Sequence, residues 1–256
     1  MTVELSRQDG VGRVRLNRPE RLNALSEDMK ERMAEMFGQL NRDPAIKVVV
    51  LSAVGKSFCA SGDVSTMGRF TPVSGRERLK RAHRMIIELA NIEKPVIASV
   101  RGAVAGIGWS MALACDMIVA SDTATFSQVF RNVGLSPDGG AVYFLSKVIG
   151  ELRAKELVYR ARKLGAEEAL GLGLITRLVN DAELESETEK LVGELINGPH
   201  FSFGTTKKMF KLMHVPSLET FLDAEAWAQG INLVTKDHSE GIEAFQSKRR
   251  PRFTGE

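Results

Sequence analysis

Cysteine is scarce in this 256-residue chain, with Cys59 and Cys115 the only two. Two thiols cannot build a disulfide framework. Without clustered Cys and His ligands they cannot build a structural zinc site either, so no metal is expected. The four histidines, His83, His200, His214 and His238, are scattered, and none has a metal-ligand partner four residues further on. Long apolar runs are missing too. The longest uncharged stretch is Gly102–Cys115, at 14 residues, whereas a membrane-spanning helix needs about 20. The opening MTVELSRQDG has no apolar signal core, which leads us to expect a cytoplasmic chain with no membrane partner. Neither charge sign dominates. Lys and Arg number 35 against 32 Asp and Glu, leaving +3, too small a surplus to argue for nucleic acid. What is present is an ordinary globular composition, 43% hydrophobic and 26% charged, at a length near the upper limit for one continuous core.

The hydrophobic pattern changes period along the chain. Val3 and Leu5, then Val14 and Leu16, alternate with polar neighbours around Asp9-Gly10, which predicts a hairpin. Ser26, Glu27 and Asp28 form a helix start, and Met29, Met33, Met36, Phe37 and Leu40 fall on one helical face. Pro44 closes that helix before a buried strand over 46–52. Leu79, Ala82, Ile86, Leu89 and Ala90 mark a second amphipathic helix, followed by a strand over 95–100. Short strands are expected over 117–120 and 124–127, and a helix over 141–147. Strands alternating with helices predict an α/β core over residues 1–195. From 183 onwards only helical patterns remain, over 183–197, 202–214, 218–234 and 239–248, punctuated by Gly198-Pro199 and Val215-Pro216. Residues 196–256 are therefore expected to form a helical C-terminal region.

Three loops stand where backbone could do chemistry. Phe58–Val64 follows a strand with a run of small residues, which suits either a tight turn or free N–H groups approaching a ligand. Gly102–Gly108 leads from a strand into a helix, suiting either close helix–strand packing or stabilisation of an oxyanion. Two sharper readings of this loop fit less well. Gly106-x-Gly108 is half of a dinucleotide fingerprint, with Met111 in the third glycine place. Gly108-Trp109-Ser110-Met111-Ala112 has the outline of a nucleophile elbow, for which Asp223 and His238 are the available partners. In Gly134–Gly140, Pro137 and the glycines fix a turn around Asp138, which suits a helix cap or a catalytic carboxylate.

The order and spacing of these loops resemble the crotonase superfamily, the enoyl-CoA hydratase/isomerase family. The resemblance also includes Asn17-Arg18-Pro19-Glu20-Arg21-Leu22-Asn23-Ala24-Leu25, Lys94–Ala98, Ala124–Phe126 and the stretch from Glu240-Gly241 to Phe253. It implies a crotonase-like spiral of ββα units with a C-terminal helical trimerisation region, in a homotrimer or a hexamer. It also implies an acyl-CoA thioester as substrate, with coenzyme A part of that substrate and no separate cofactor. By position, the N–H groups of Gly62 and Ile107 would hold the thioester oxygen as an enolate forms.

The hydratase branch of the family uses two glutamates. Their places fall at Ser110 and Phe130, so neither is kept. The surroundings of Asp138 resemble the isomerase branch, which includes Δ3,Δ2-enoyl-CoA isomerases and ring-epoxide isomerases acting on phenylacetyl-CoA. There a single acid suffices for a 1,3-proton shift. An ordinary Asp, with pKa about 3.9, is a weak base. An apolar pocket of Phe130, Val133, Leu135 and Trp109 would raise that value. A related branch uses an Asp here as a nucleophile on an aromatic ring, but with Trp where this chain has Phe130. By resemblance Arg21 and Lys248 approach the nucleotide phosphates, Asp63 and Val64 lie near adenine and pantetheine, and Leu22, Ala24 and Ala60 complete the substrate contacts. The alternatives are hydratase-type lyase activity, or a non-catalytic acyl-CoA or RNA-binding scaffold. The run Arg76–Arg84 would be the basic helix of the RNA-binding form.

Overall fold

The computed structural model describes residues 1–66, 71–213 and 217–256. His214 and the Val215-Pro216 break lie outside them. The chain divides into two compact units. One comprises Met1–Ile92 and Val96–Lys190, the other Glu93–Pro95 and Leu191–Glu256.

The first unit is built on a six-stranded sheet. Strands β1 (Val3–Gln8) and β2 (Val11–Leu16) form the expected antiparallel hairpin, with Val3 opposite Leu16 and Leu5 opposite Val14. Asp9 and Gly10 both have positive φ, as a two-residue hairpin turn requires. The sheet then continues in parallel through β3 (Val48–Ala53) and β4 (Val96–Val100). Strand β4 next to β5 (Ala103–Ala105) in sequence pairs instead with β6 (Met117–Ser121), and β9 (Arg177–Val179) forms the far edge. Strands β3 and β4 are buried almost throughout because both sheet faces are covered there. A second sheet joins β5 to β7 (Thr125–Ser127) in parallel, and β7 to β8 (Leu164–Gly165) in antiparallel.

Helix α1 (Glu27–Arg42) begins where the Ser26 Oγ accepts the Met29 N–H, and it buries all five expected apolar residues. Helix α2 (Pro72–Ala90) starts in a reciprocal Thr71–Ser74 cap and packs along α1. Its buried residues are Ala82, Met85, Ile86 and Leu89. Leu79, expected on that face, is 36% exposed, and the preceding residue, Arg78, turns inward in its place. Helix α3 (Ile107–Leu113) follows β5, and α4 (Ala141–Arg160) runs well beyond the expected 141–147, bending at Gly150. Helices α5 (Ala166–Gly171) and α6 (Leu184–Leu195) follow.

In the second unit, α7 (His200–Leu212), α8 (Leu218–Asn232) and α9 (Lys236–Gln246) follow one another. The final segment is tied to α9. The buried Asp237 carboxylate accepts the Thr254 and Gly255 N–H groups, and Glu240 accepts the Arg252 N–H. Among the described residues, no helix is long and apolar enough to cross a membrane.

Candidate active site

Single-residue bridges fix the first loop. Cys59 pairs with Val104 and Gly62 with Leu25. The Cys59 N–H donates to the Ala103 carbonyl at 2.9 Å, and the Cys59 carbonyl accepts the Ala105 N–H at 2.8 Å. The Leu25 N–H donates to the Ser61 carbonyl, and the Asp63 N–H to the Leu25 carbonyl, each at 2.9 Å. These bonds flank Gly62 and leave its own N–H without a backbone acceptor among the described residues. Asn23, wholly buried, secures the strand-side end. Its Nδ2 donates to the Val54 and Ser57 carbonyls, and its Oδ1 accepts the Arg18 N–H.

The second loop brings another donor. Ile107 opens α3, ahead of the point where helical carbonyls become available, and its N–H has no backbone acceptor among the described residues. Two glycines allow this approach. Gly106 has φ 50° and ψ −126°, and a Cβ there would lie 2.1 Å from Ser61 Oγ. A Cβ on Gly108 would lie 2.8 Å from the Cys59 carbonyl oxygen.

The third loop presents Asp138. Its side chain does not cap α4, whose N-cap is Gly140 with no side-chain hydrogen bond. Ser110 Oγ, fully buried on α3, donates to the Asp138 carbonyl at 3.0 Å and so fixes the backbone of the loop. The carboxylate takes no part in that bond. Its Oδ1 is buried and has no hydrogen-bond partner among the described residues.

All three loops line one cavity of about 350 Å³. Gly62, Ile107 and Asp138 face it together, as do Arg21, Ala24, Ala60, Asp63, Val64, Phe130, Val133 and Leu135. Burial, the largest influence on Asp138, raises its pKa. Lys30, Arg78 and His83 pull it down and Glu27 pushes it up, and the net result stays raised. Asp63, the other acid on this wall, is engaged differently. Ser65 donates to it through Oγ at 2.6 Å and N–H at 3.0 Å, and Arg18 Nη1 donates at 2.6 Å. These bonds hold its pKa down to about 2. A lowered acid stabilises the fold above its unfolded pKa and loses that contribution as pH falls. Asp63→Asn is therefore expected to weaken the protein at pH 7, and the deficit should close between pH about 4 and about 2. Urea unfolding across that range checks it. Burial pushes the Cys59 thiol up to about 12, so it stays neutral. Among the described residues, no group of three His, Cys, Asp or Glu side chains is arranged to hold a metal.

A family model described as enoyl-CoA hydratase/isomerase matches residues 6–256. The chain belongs to the enoyl-CoA hydratase/isomerase family. The 1,2-epoxyphenylacetyl-CoA isomerase of Escherichia coli is 34% identical over 252 residues, covering 97% of this chain and 96% of that one. The short-chain-enoyl-CoA hydratase of Clostridium acetobutylicum is 31% identical over 249 residues, covering 97% and 95%. Among solved structures, an enoyl-CoA hydratase from Bacillus anthracis superposes with a TM-score of 0.94 at 28% identity, covering all of both chains. The chain accordingly has the crotonase fold, with a helical C-terminal region.

For this hydratase/isomerase family member, most of the expected site residues meet in the one cavity, and some do not. Trp109 is not a wall residue. It is wholly buried in the core, its ring 5.6 Å from that of Phe126. Leu22 is also absent from the cavity wall. It serves through its carbonyl, which accepts the Ala60 N–H at 3.0 Å. Lys248 belongs to the second unit, exposed after α9 with φ 52°. Ser110 is no exposed nucleophile, since its hydroxyl is buried and donates to backbone carbonyls. The run Arg76–Arg84 is largely paired with acids: Lys80 with Glu77, Arg78 with Glu27, and Arg81 with Glu27 and Glu31. Sequence reasoning missed Lys30 and Arg78, which also line the cavity. For Lys30 a signal existed: it sits one turn ahead of Met33 and Ala34, inside the apolar stripe of α1.

Proposed function

We propose that this chain is an acyl-CoA isomerase that moves the double bond of an enoyl-CoA thioester by a proton shift through an enolate. The observation that carries this reading is a buried Asp138 oxygen with no hydrogen-bond partner among the described residues, on the same cavity as two peptide N–H groups with no backbone acceptor among them. The thioester oxygen sits between the Gly62 and Ile107 donors. Asp138 takes a proton from the carbon next to the carbonyl, and the C–H electrons move onto the oxygen. The protonated Asp138 then returns that proton two carbons further along. The carbonyl re-forms, and the double bond has moved from the 3,4 to the 2,3 position. Fixed donors stabilise the enolate charge more than the neutral thioester, which is what lowers the barrier. Hydration needs a second group to handle water. Ser110 and Phe130 are not carboxylates, and Asp63 is committed to Arg18 and Ser65.

Coenzyme A arrives as part of the substrate, so no separate cofactor is required. Arg21, on the cavity wall, is the cation we assign to its phosphates. The decisive assay supplies 3-enoyl-CoA and 2-enoyl-CoA of equal chain length to the purified protein. Interconversion of the two is expected. Hydration of the 2-enoyl substrate without interconversion overturns the reading.

Helix α8 supports a homotrimer or hexamer. It buries none of its 15 residues in the single chain, although it carries Leu218, Leu222, Trp227 and Ile231. Trp227, 72% exposed, would be covered by another copy. Trp227→Glu is expected to shift the particle to smaller mass in light scattering.

A further inference from the structure

Helices α1 and α2 carry a charge cluster to the wall of the Asp138 cavity. Lys30 is only 3% exposed, and its ammonium donates to Glu27 Oε1 at 2.7 Å. Arg78 Nε, from the neighbouring helix, approaches the same oxygen at 3.0 Å. Lys30 and Arg78 both line the cavity with Asp138. Burying an ammonium is costly, and one carboxylate shared with Arg78 and Arg81 compensates it only in part. Counting Lys30, Arg78 and Arg81 against Glu27 and Glu31, the cluster carries one excess positive charge. An ionised Asp138 brings the set to neutrality.

We infer that Lys30 is a positioning residue that keeps Asp138 ionised and ready to accept a proton, and that Glu27 sets how strongly it does so. The inference rests on Asp138 being the acid/base. The charged groups that act on Asp138 are Glu27 and Lys30 on α1 and Arg78 and His83 on α2, of which Lys30 and Arg78 share its cavity; the Ser110 hydroxyl on α3 is spent on the Asp138 backbone carbonyl. Burial alone would hold the Asp138 proton on and block the first step. The nearby cations oppose it, and the carboxylate of Glu27 partly cancels them. Removing Lys30 and neutralising Glu27 should therefore move Asp138 in opposite directions. A residue that merely filled space would not produce that pattern.

The test is the pH profile of kcat/KM for 3-enoyl-CoA isomerisation, measured in Lys30→Met, Lys30→Arg and Glu27→Gln. All are made in a His83→Gln background, so that the His83 contribution to Asp138 is absent from every profile. Lys30→Met is expected to lose about tenfold at the acidic end of the profile, with the deficit narrowing as pH rises and kcat affected more than KM. Lys30→Arg should restore the parent profile. Glu27→Gln should move the acidic limb to lower pH. A uniform loss across pH in Lys30→Met, or the same direction of shift in Lys30→Met and Glu27→Gln, overturns the inference. If Lys30→Met fails to fold, Glu27→Gln decides alone, and an unmoved limb counts against it. Asp138→Asn separates the two claims: a variant that still isomerises sinks the underlying reading. An inactive one with unmoved Lys30 and Glu27 profiles sinks only this inference.

Discussion

Asp138→Asn is expected to lower kcat for isomerisation of a 3-enoyl-CoA by about 10²–10⁴-fold, with little change in KM. Asparagine keeps the shape of the side chain but cannot take up and return a proton. The loop itself should survive, because Ser110 Oγ holds the Asp138 backbone carbonyl rather than its carboxylate. Stability should move the other way. Burial raises the Asp138 pKa, so the folded chain binds its proton more tightly than the unfolded chain does. Such a group costs stability as pH rises above its unfolded value, about 3.9 for an ordinary Asp. The amide removes that cost, and the variant should resist urea at pH 7 at least as well as the parent. Activity lost while stability is kept or gained would identify a side chain held for chemistry. An active Asn variant, or one that loses activity by unfolding, would contradict the assignment.

The second large effect is expected from Gly108→Ala. The added methyl would meet the Cys59 carbonyl oxygen at 2.8 Å and the Cys59 Cβ at 2.6 Å. That carbonyl already accepts the Ala105 N–H, so neither loop can yield without breaking a bridge. Overpacking of this kind costs about 1–3 kcal/mol. The displacement falls between the Gly62 and Ile107 loops, and misplacing one oxyanion donor costs about 10²–10³ in rate. The control is Gly193→Ala on α6, where a Cβ meets nothing within 4 Å; it should leave stability equal or slightly improved. Chemical denaturation gives the first quantity and steady-state kcat the second. Equal behaviour of the two alanine variants would refute the packing argument.

Most of the cavity was legible only through the order and spacing of three loops, which resemble the family; each loop by itself suited a tight turn, close packing or a helix cap as well. Asp138, in a turn fixed by Pro137 and two glycines, reads as a helix cap on its own stretch, and only the resemblance points to a catalytic carboxylate. The pairing of β1 with β2 followed from Asp9-Gly10 and the alternating residues around it. Other features depend on contacts far apart in the chain. Lys30 and Arg78 lie on two helices, and periodicity alone assigned Leu79, not Arg78, to the inner face. Trp109 is expected on the cavity wall as one of the apolar residues around Asp138. One position along a helix turns a side chain by about 100°, and that rotation carries the indole into the core against Phe126. In the sequence Asn23 is only one residue of a longer motif. Its three hydrogen bonds to Arg18, Val54 and Ser57 show why an amide stands there.

The groups that would polarise the thioester belong to the peptide chain itself. A single-residue replacement can bend or crowd them, but it cannot erase a main-chain N–H except by bringing in proline. The proposed acid is a side chain and could be lost or relocated in one step. In such a scaffold, activation of the carbonyl is hard to lose by mutation. The choice of which atom receives the proton is easily rewritten, and new reactions are free to arise around an unchanged anchor.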